Sequence, residues 1–350
     1  RRLNRAAGGT AALVRLRRRL LKRLREHGEW QAVEADLLHL LSSWFNPGFL
    51  EMRRVDWSSP AHLLEQIIQH EAVHAIDGWD DLRRRLQPDR RCFAFFHPAL
   101  VDEPLIFVEV ALMAEVPGAI SEVLGDAPHE ASEADPTTAV FYSISNCQEG
   151  LKGISFGNFL IKQVVEDLVR ELPSLTTFVT LSPVPLFARW LNRGLSEADP
   201  AVVTAADRVL LAGLAAKDWH RGPDAETRIK APLLALAAKY FLEVKGSGQR
   251  PLDPVARFHL GNGARLDRIN WLGDTSPKGL KEGHGLMVNY RYDLKEIEAN
   301  HEAFANEGKV VSSRAVRSLL KSNERIPVAQ RLLGAALDTG HAKPAAAKPL

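Results

Sequence analysis

Apolar positions recur at helical spacing through the first 77 residues, then give way to short β-branched and aromatic runs. Leu13, Leu16, Leu20 and Leu24 form one stripe. Trp30, Val33, Leu37, Leu40 and Leu41 form a second, predicting a helix over Glu29 to Trp44 that Asn46-Pro47-Gly48 ends. Ser59 and Pro60 open a third as N-cap and first helical residue, with Leu63, Leu64, Ile67 and Ile68 as its apolar set. A short helix follows from Asp77 to Leu86, closed by Pro88. Beyond it, Cys92 to Phe96 and Leu105 to Met113 read as an antiparallel pair of strands. The change of period predicts an all-α domain over residues 1–77 and a second domain over 78–350.

The most informative stretch is Thr137 to Pro185. Ala139 to Ser145 reads as a buried strand, and a loop with Gly150, Gly153 and Gly157 follows. A helix over Asn158 to Leu172 carries Leu160, Val164 and Leu168, and a second strand over Thr176 to Ser182 stops at Pro183 and Pro185. Strand, glycine loop, helix, strand is a βαβ unit, whose loop aims backbone N–H groups at a helix N-terminus, a setting suited to phosphate. A helix begins at Phe187, and residues 195–245 read as an Ala- and Leu-rich helical insertion. Gly285 to Tyr292 reads as a late strand, and Leu294 to Asn306 and Ser312 to Ser322 as helices. Gly125 to Pro136 reads as a polar surface loop, and residues 341–350, rich in Ala, Lys and Pro, as a disordered tail.

Composition narrows the class. The chain has 350 residues, 45% hydrophobic and 25% charged, and a formal net charge of +2. That is the make-up of a globular protein with room for two domains, and the charge argues neither for nor against a polyanionic partner. Two cysteines, Cys92 and Cys147, cannot build a disulfide framework, which points to a reducing compartment. No apolar run reaches membrane-spanning length. Residues 1–25 hold ten Arg or Lys and no acid. This reads as the solvated face of a helix, with a transit peptide or nucleic-acid arm as the other readings. His70-Glu71-Ala72-Val73-His74 has the H-E-x-x-H spacing of zinc proteases, but no third ligand stands out. Metal binding is not expected there. The glycine loop lacks the G-x-G-x-x-G dinucleotide fingerprint, which argues against NAD.

EAVHAIDGWDDLRRRL, RRCFAFFHPAL, EPLIFVEVAL, YSISNCQEGLKGISFGNFLIK, TLSPVP, VARFHLGNGARLDRINWLGD and GLMVNYRY together resemble the malonyl-CoA decarboxylase family, in the family's order from about residue 71 to 295. The resemblance implies an α+β fold, with an N-terminal helical oligomerisation domain before an acetyltransferase-like (GNAT) mixed-sheet catalytic domain. It implies that Lys152, Gly153, Ile154, Ser155, Phe156, Gly157 and Asn158 cradle the pyrophosphate of coenzyme A. Ser182 and His259 are the implied catalytic pair, also touching substrate, and Tyr292 is a weaker candidate. The implied activity is that of a carbon–carbon lyase of fatty acid metabolism, turning malonyl-CoA into acetyl-CoA and CO2 through a thioester enolate. A near-neutral imidazole would pass the proton. No metal, biotin or pyridoxal phosphate is expected, and coenzyme A enters as part of the substrate. A homotetramer through the helical domain is implied, with no nucleic-acid or membrane partner. A bacterial cytoplasmic location is expected, with the mitochondrial matrix as the alternative. The rival reading is a GNAT-type acyltransferase that moves an acyl group from coenzyme A to an amine.

Overall fold

In the computed structural model, residues 6–125, 136–154 and 159–325 are described. The expected surface loop around 126–135, the four cradle residues 155–158 and the expected tail at 341–350 fall outside them. The chain divides into two units: Arg1–Ser182 with Gly261–Ala264 and Arg291–His301, and Pro183–Leu260 with Arg265–Tyr290 and Glu302–Leu350.

The first unit starts with α1 (Gly9–Arg23) and α2 (Gln31–Trp44), followed by β1 (Glu51–Val55), α3 (Ala61–His70) and α4 (Gly78–Arg85). Then come β2 (Arg90–Phe96), β3 (Ile106–Met113), α5 (Ile120–Leu124), β4 (Thr138–Asn146), α6 (Phe159–Glu171) and β5 (Thr177–Thr180). The strands run in the order β1-β2-β3-β4-β5. All neighbours are antiparallel except β4 and β5, which are parallel and joined by α6. Every residue of β2 and β3 is buried, which is why Cys92–Phe96 and β3 on either side of Glu109 read as apolar runs rather than alternating ones. On one side, Cys92, Ala94, Phe96 and Phe107 pack against Leu63, Leu64 and Ile67 of α3 and Leu82 of α4. Those are the α3 residues that the periodicity assigns to the core.

Three local expectations change. The first 77 residues are not all helical: β1 pairs with β2, from Glu51↔Phe96 to Val55↔Cys92. It is an edge strand, and its Glu-Met-Arg-Arg-Val sequence hides the alternation behind charge. These helices and the sheet share the first unit. On α1 the buried face is Thr10, Leu13, Val14 and Arg17, while Leu16 is 49% exposed. Of the leucine stripe, Leu13 is buried, Leu20 and Leu24 are half-buried and only Leu16 is exposed, so the buried face is turned from the stripe toward Val14 and Arg17. At α3, Ser59 does not cap; its hydroxyl accepts a hydrogen bond from the Asp56 N–H at 3.1 Å.

The second unit is mainly helical. It holds α7 (Phe187–Glu197), α8 (Ala205–Leu211), α9 (Lys230–Leu242) and α10 (Pro254–Gly261) up to Leu260. Next come β7 (Arg265–Asn270), after a two-residue β6 (Ser182–Pro183) at the division, and α11 (Pro277–Gly283). The unit's last described element is α13 (Arg314–Arg325). β8 (Met287–Tyr292) and α12 (Ile297–Glu307) each contribute residues to both units. The earlier part of β8 belongs with β7, whereas Arg291 and Tyr292 pair with Val179 and Phe178 of β5 in the first unit. The predicted insertion is thus helical, and the predicted late strand is present.

Candidate functional site

In the first unit, parallel pairing between β4 and β5 runs from Thr138↔Thr177 to Phe141↔Thr180 and stops, while β4 continues to Asn146 beside β3. The β3 register also slips there. Glu109 faces Ser143 and Val110 faces Phe141, so Tyr142 is an extra residue, a β-bulge at the point where β4 and β5 part. Ser182 lies two residues beyond β5 and is buried, with its Oγ donating to Thr180 Oγ1 at 2.8 Å. Because β4 and β5 are parallel, Ser182 and the glycine loop follow the same, C-terminal ends of these two strands.

That loop is a chain of tight turns. Glu149–Leu151 forms one 3-10 turn, the Lys152 N–H donates to Glu149 O at 3.2 Å, and the Ile154 N–H donates to Leu151 O at 3.0 Å. Gly153 sits at φ +85°, in the left-handed region that favours glycine. Lys152 is exposed and Ile154 buried. Ser155, Phe156, Gly157 and Asn158 lie outside the described residues.

His259 belongs to the second unit. α10 buries Ala256, His259 and Leu260 on one face, and the imidazole stacks on Tyr290 of β8 with ring centroids 4.7 Å apart. Burial pulls its pKa down to about 3, so the ring is neutral at physiological pH rather than near its titration point, as the sequence-based mechanism assumes. The helix is fixed at its start by Asp253, whose Oδ1 accepts from the N–H groups of Val255 and Ala256 at 2.9 Å each. Burial raises the Asp253 carboxyl to about 6 against those same bonds. At its end, Gly263 takes φ +79°, and a Cβ there would fall on the Ile297 carbonyl oxygen. Asn262-Gly263 is therefore a helix stop before β7, not the strand turn that the dipeptide suggests.

Tyr292 is buried in the first unit opposite Phe178, its ring 6.4 Å from Phe141, and burial pushes its phenol well above the usual value. Of the predicted residues, the first unit brings Ser182, Lys152, Gly153, Ile154 and Tyr292 onto one sheet and its adjoining loop. His259 stands on α10 of the other unit. Asp253, Tyr290 and the Tyr142 bulge escape the sequence reading. Asp253-Pro254 carries a legible helix-start signal, but bulge and ring stack need cross-strand register that sequence spacing does not supply.

The H-E-x-x-H stretch does not lie on one helix. α3 ends at His70, and Glu71 has extended backbone. Its carboxylate accepts from the N–H groups of Val73 and His74 at 2.8 and 2.7 Å, and from Ser143 and Ser145 hydroxyls at 2.6 and 3.1 Å. Glu71 thus ties the chain after α3 to β4. The one-turn spacing that would aim both imidazoles at one metal does not exist here.

Residues 48–329 match the family described as malonyl-CoA decarboxylase C-terminal domain, and residues 1–45 match its N-terminal domain. The chain is 37% identical over 342 residues to a mitochondrial malonyl-CoA decarboxylase of Anser anser anser, covering 91% of this chain and 68% of that protein. A rat relative of the same name is also 37% identical, covering 91% and 70%. Among solved structures, malonyl-CoA decarboxylase from Rhodopseudomonas palustris superimposes with a TM-score of 0.87 at 57% identity, covering 91% of this chain and 77% of that one. The Agrobacterium vitis enzyme gives 0.84 at 55% identity, covering 90% and 77%.

Proposed function

The chain belongs to the malonyl-CoA decarboxylase family, and on that premise we propose that it converts malonyl-CoA to acetyl-CoA and CO2 through a thioester enolate. The observation that carries the reading is the opening between β4 and β5, with a bulge on one strand and a buried hydroxyl just past the other. Where β4 runs on past β5, its backbone can hydrogen-bond the amides of a pantetheine arm laid along it as a strand would be. The Lys152 and Ile154 N–H groups are used within the turns, so the Gly153 N–H and the Lys152 ammonium are what these turns bring to the pyrophosphate.

Cleavage leaves the C–C bonding electrons in the enolate and releases CO2, and a proton must then reach carbon. The thioester delocalises the charge, so the residues have to fix geometry and stabilise the enolate oxygen. Ser182 suits the departing carboxylate: a neutral hydroxyl orients it without the tight ion pairing that would hold it in the ground state. His259 is neutral, and its N–H serves as donor to the enolate oxygen. Charge growing on that oxygen raises the proton affinity of the ring, which then passes a solvent proton onward. In this proposal Ser182 orients the carboxylate, His259 handles the enolate oxygen and its proton, and Tyr292 is a supporting group.

Ser182→Ala and His259→Asn test it with malonyl-CoA as substrate. Each is expected to lower kcat by about 10²-fold or more, the scale of a lost positioned donor or proton relay. Folded variants that both keep kcat within a few-fold of wild type would remove this pair from the chemistry.

A further inference from the structure

The buried face of α1 ends in a cation. Arg17 is 2% exposed, and its guanidinium has two partners: Nη1 donates to the Gly150 carbonyl at 2.7 Å, and Nη2 to Glu34 Oε1 of α2 at 2.7 Å. The backbone beside it approaches just as closely. A Cβ at residue 150 would fall on the Val14 carbonyl oxygen, so this position accepts glycine alone while α1 stays where it is. On the outer side of the same turn, Glu149 takes Arg18 at 3.0 Å and Lys22 at 3.3 Å. The turn Glu149–Leu151 is therefore seated on α1, and the next residues are Lys152, Gly153 and Ile154.

A leucine at position 17 would complete the face that Leu13 and Val14 begin. A buried guanidinium is costly unless its geometry and partners are good, and truncating one member of such a set leaves another unpaired. What it adds is direction: two bonds that fix where one loop carbonyl points and tie α1 to α2 at the same spot. A loop that presents a cation and a backbone N–H to phosphate binds best when its turns are already formed, since a loose loop must be ordered at the expense of affinity.

We propose that α1 is a working part of substrate binding, with Arg17 as the positioning residue that holds the coenzyme A loop in its binding shape. The inference rests on the coenzyme A reading of Lys152 to Ile154 given above. Arg17 touches no substrate atom; it acts through Gly150.

The full chain carries the test, with Arg17→Ala, Arg17→Lys and, as a benchmark, Lys152→Ala. The readouts are Kd for coenzyme A by calorimetry, kcat and KM for malonyl-CoA, and amide hydrogen exchange of residues 149–154. Arg17→Ala should raise Kd and KM by about tenfold, leave kcat within about twofold and speed exchange in that segment. Arg17→Lys, which keeps the charge but gathers its donors on a single nitrogen, should fall between it and wild type. If Arg17→Ala does not fold, the lysine variant decides, and an unchanged Kd with unchanged exchange overturns the inference. A raised Kd in Lys152→Ala alone overturns it too, while leaving the coenzyme A reading intact. Faster exchange with an unchanged Kd in both Arg17→Ala and Lys152→Ala overturns that reading and the inference with it.

Discussion

His259 owes its chemistry to its surroundings. Packed on Tyr290 and buried, the imidazole has its pKa pulled to about 3, whereas an exposed histidine titrates near 6.5. The folded state thus binds this proton later than the unfolded state does. The stability associated with a neutral His259 is complete above the unfolded value and drains away as pH falls from there toward 3. Between about pH 7.5 and about pH 5 the site should cost the wild type roughly 2 kcal/mol that a His259→Asn variant does not lose. Thermal or urea unfolding of both at the two pH values measures it, and equal losses would show that the ring is not held neutral. Asp253 and Glu109 work in the opposite sense. Burial raises them to about 6 and about 7, so each favours the folded state as pH falls toward its unfolded value. Only the difference between variant and wild type isolates His259.

At the level of elements, the βαβ unit of β4, α6 and β5 was legible because each part carries its own period: β-branched run, glycine loop, amphipathic helix, short strand. So was α3, whose Leu63, Leu64 and Ile67 are buried as spaced. Two things were hidden for definite reasons. β1 is charged on an edge, where solvent removes the need for apolar alternation. The buried side of α1 includes Arg17 and omits Leu16, because a specific polar contact outweighs hydrophobicity there. The site divides the same way. Ser182, His259 and Lys152 came from family runs rather than spacing, whereas the Tyr142 bulge and the His259–Tyr290 stack exist only once strands are in register. The stop of α10 gives a prediction at this scale. Gly263→Ala forces a side chain into left-handed backbone and onto the Ile297 carbonyl, and should destabilise the protein by about 2 kcal/mol or more. Unfolding midpoints in urea check it, and a neutral substitution would mean that α10 ends without that turn.

At the level of the whole molecule, the helical start and the mixed sheet share a unit, so the N-terminal helices are built into the sheet domain's own packing. Among the described residues no helix is long and apolar enough to cross a membrane. The family assignment spans both parts, with matches over residues 1–45 and 48–329. What this arrangement has to explain is one reaction, and isotope release tests it most directly. Malonyl-CoA labelled in its free carboxyl is incubated with the purified chain in heavy water, without any amine. The account predicts one labelled CO2 for each acetyl-CoA formed, with one solvent deuterium on the acetyl methyl group. Label retained in the thioester, or acetyl-CoA consumed only when an amine is supplied, would contradict decarboxylation as the activity of this chain.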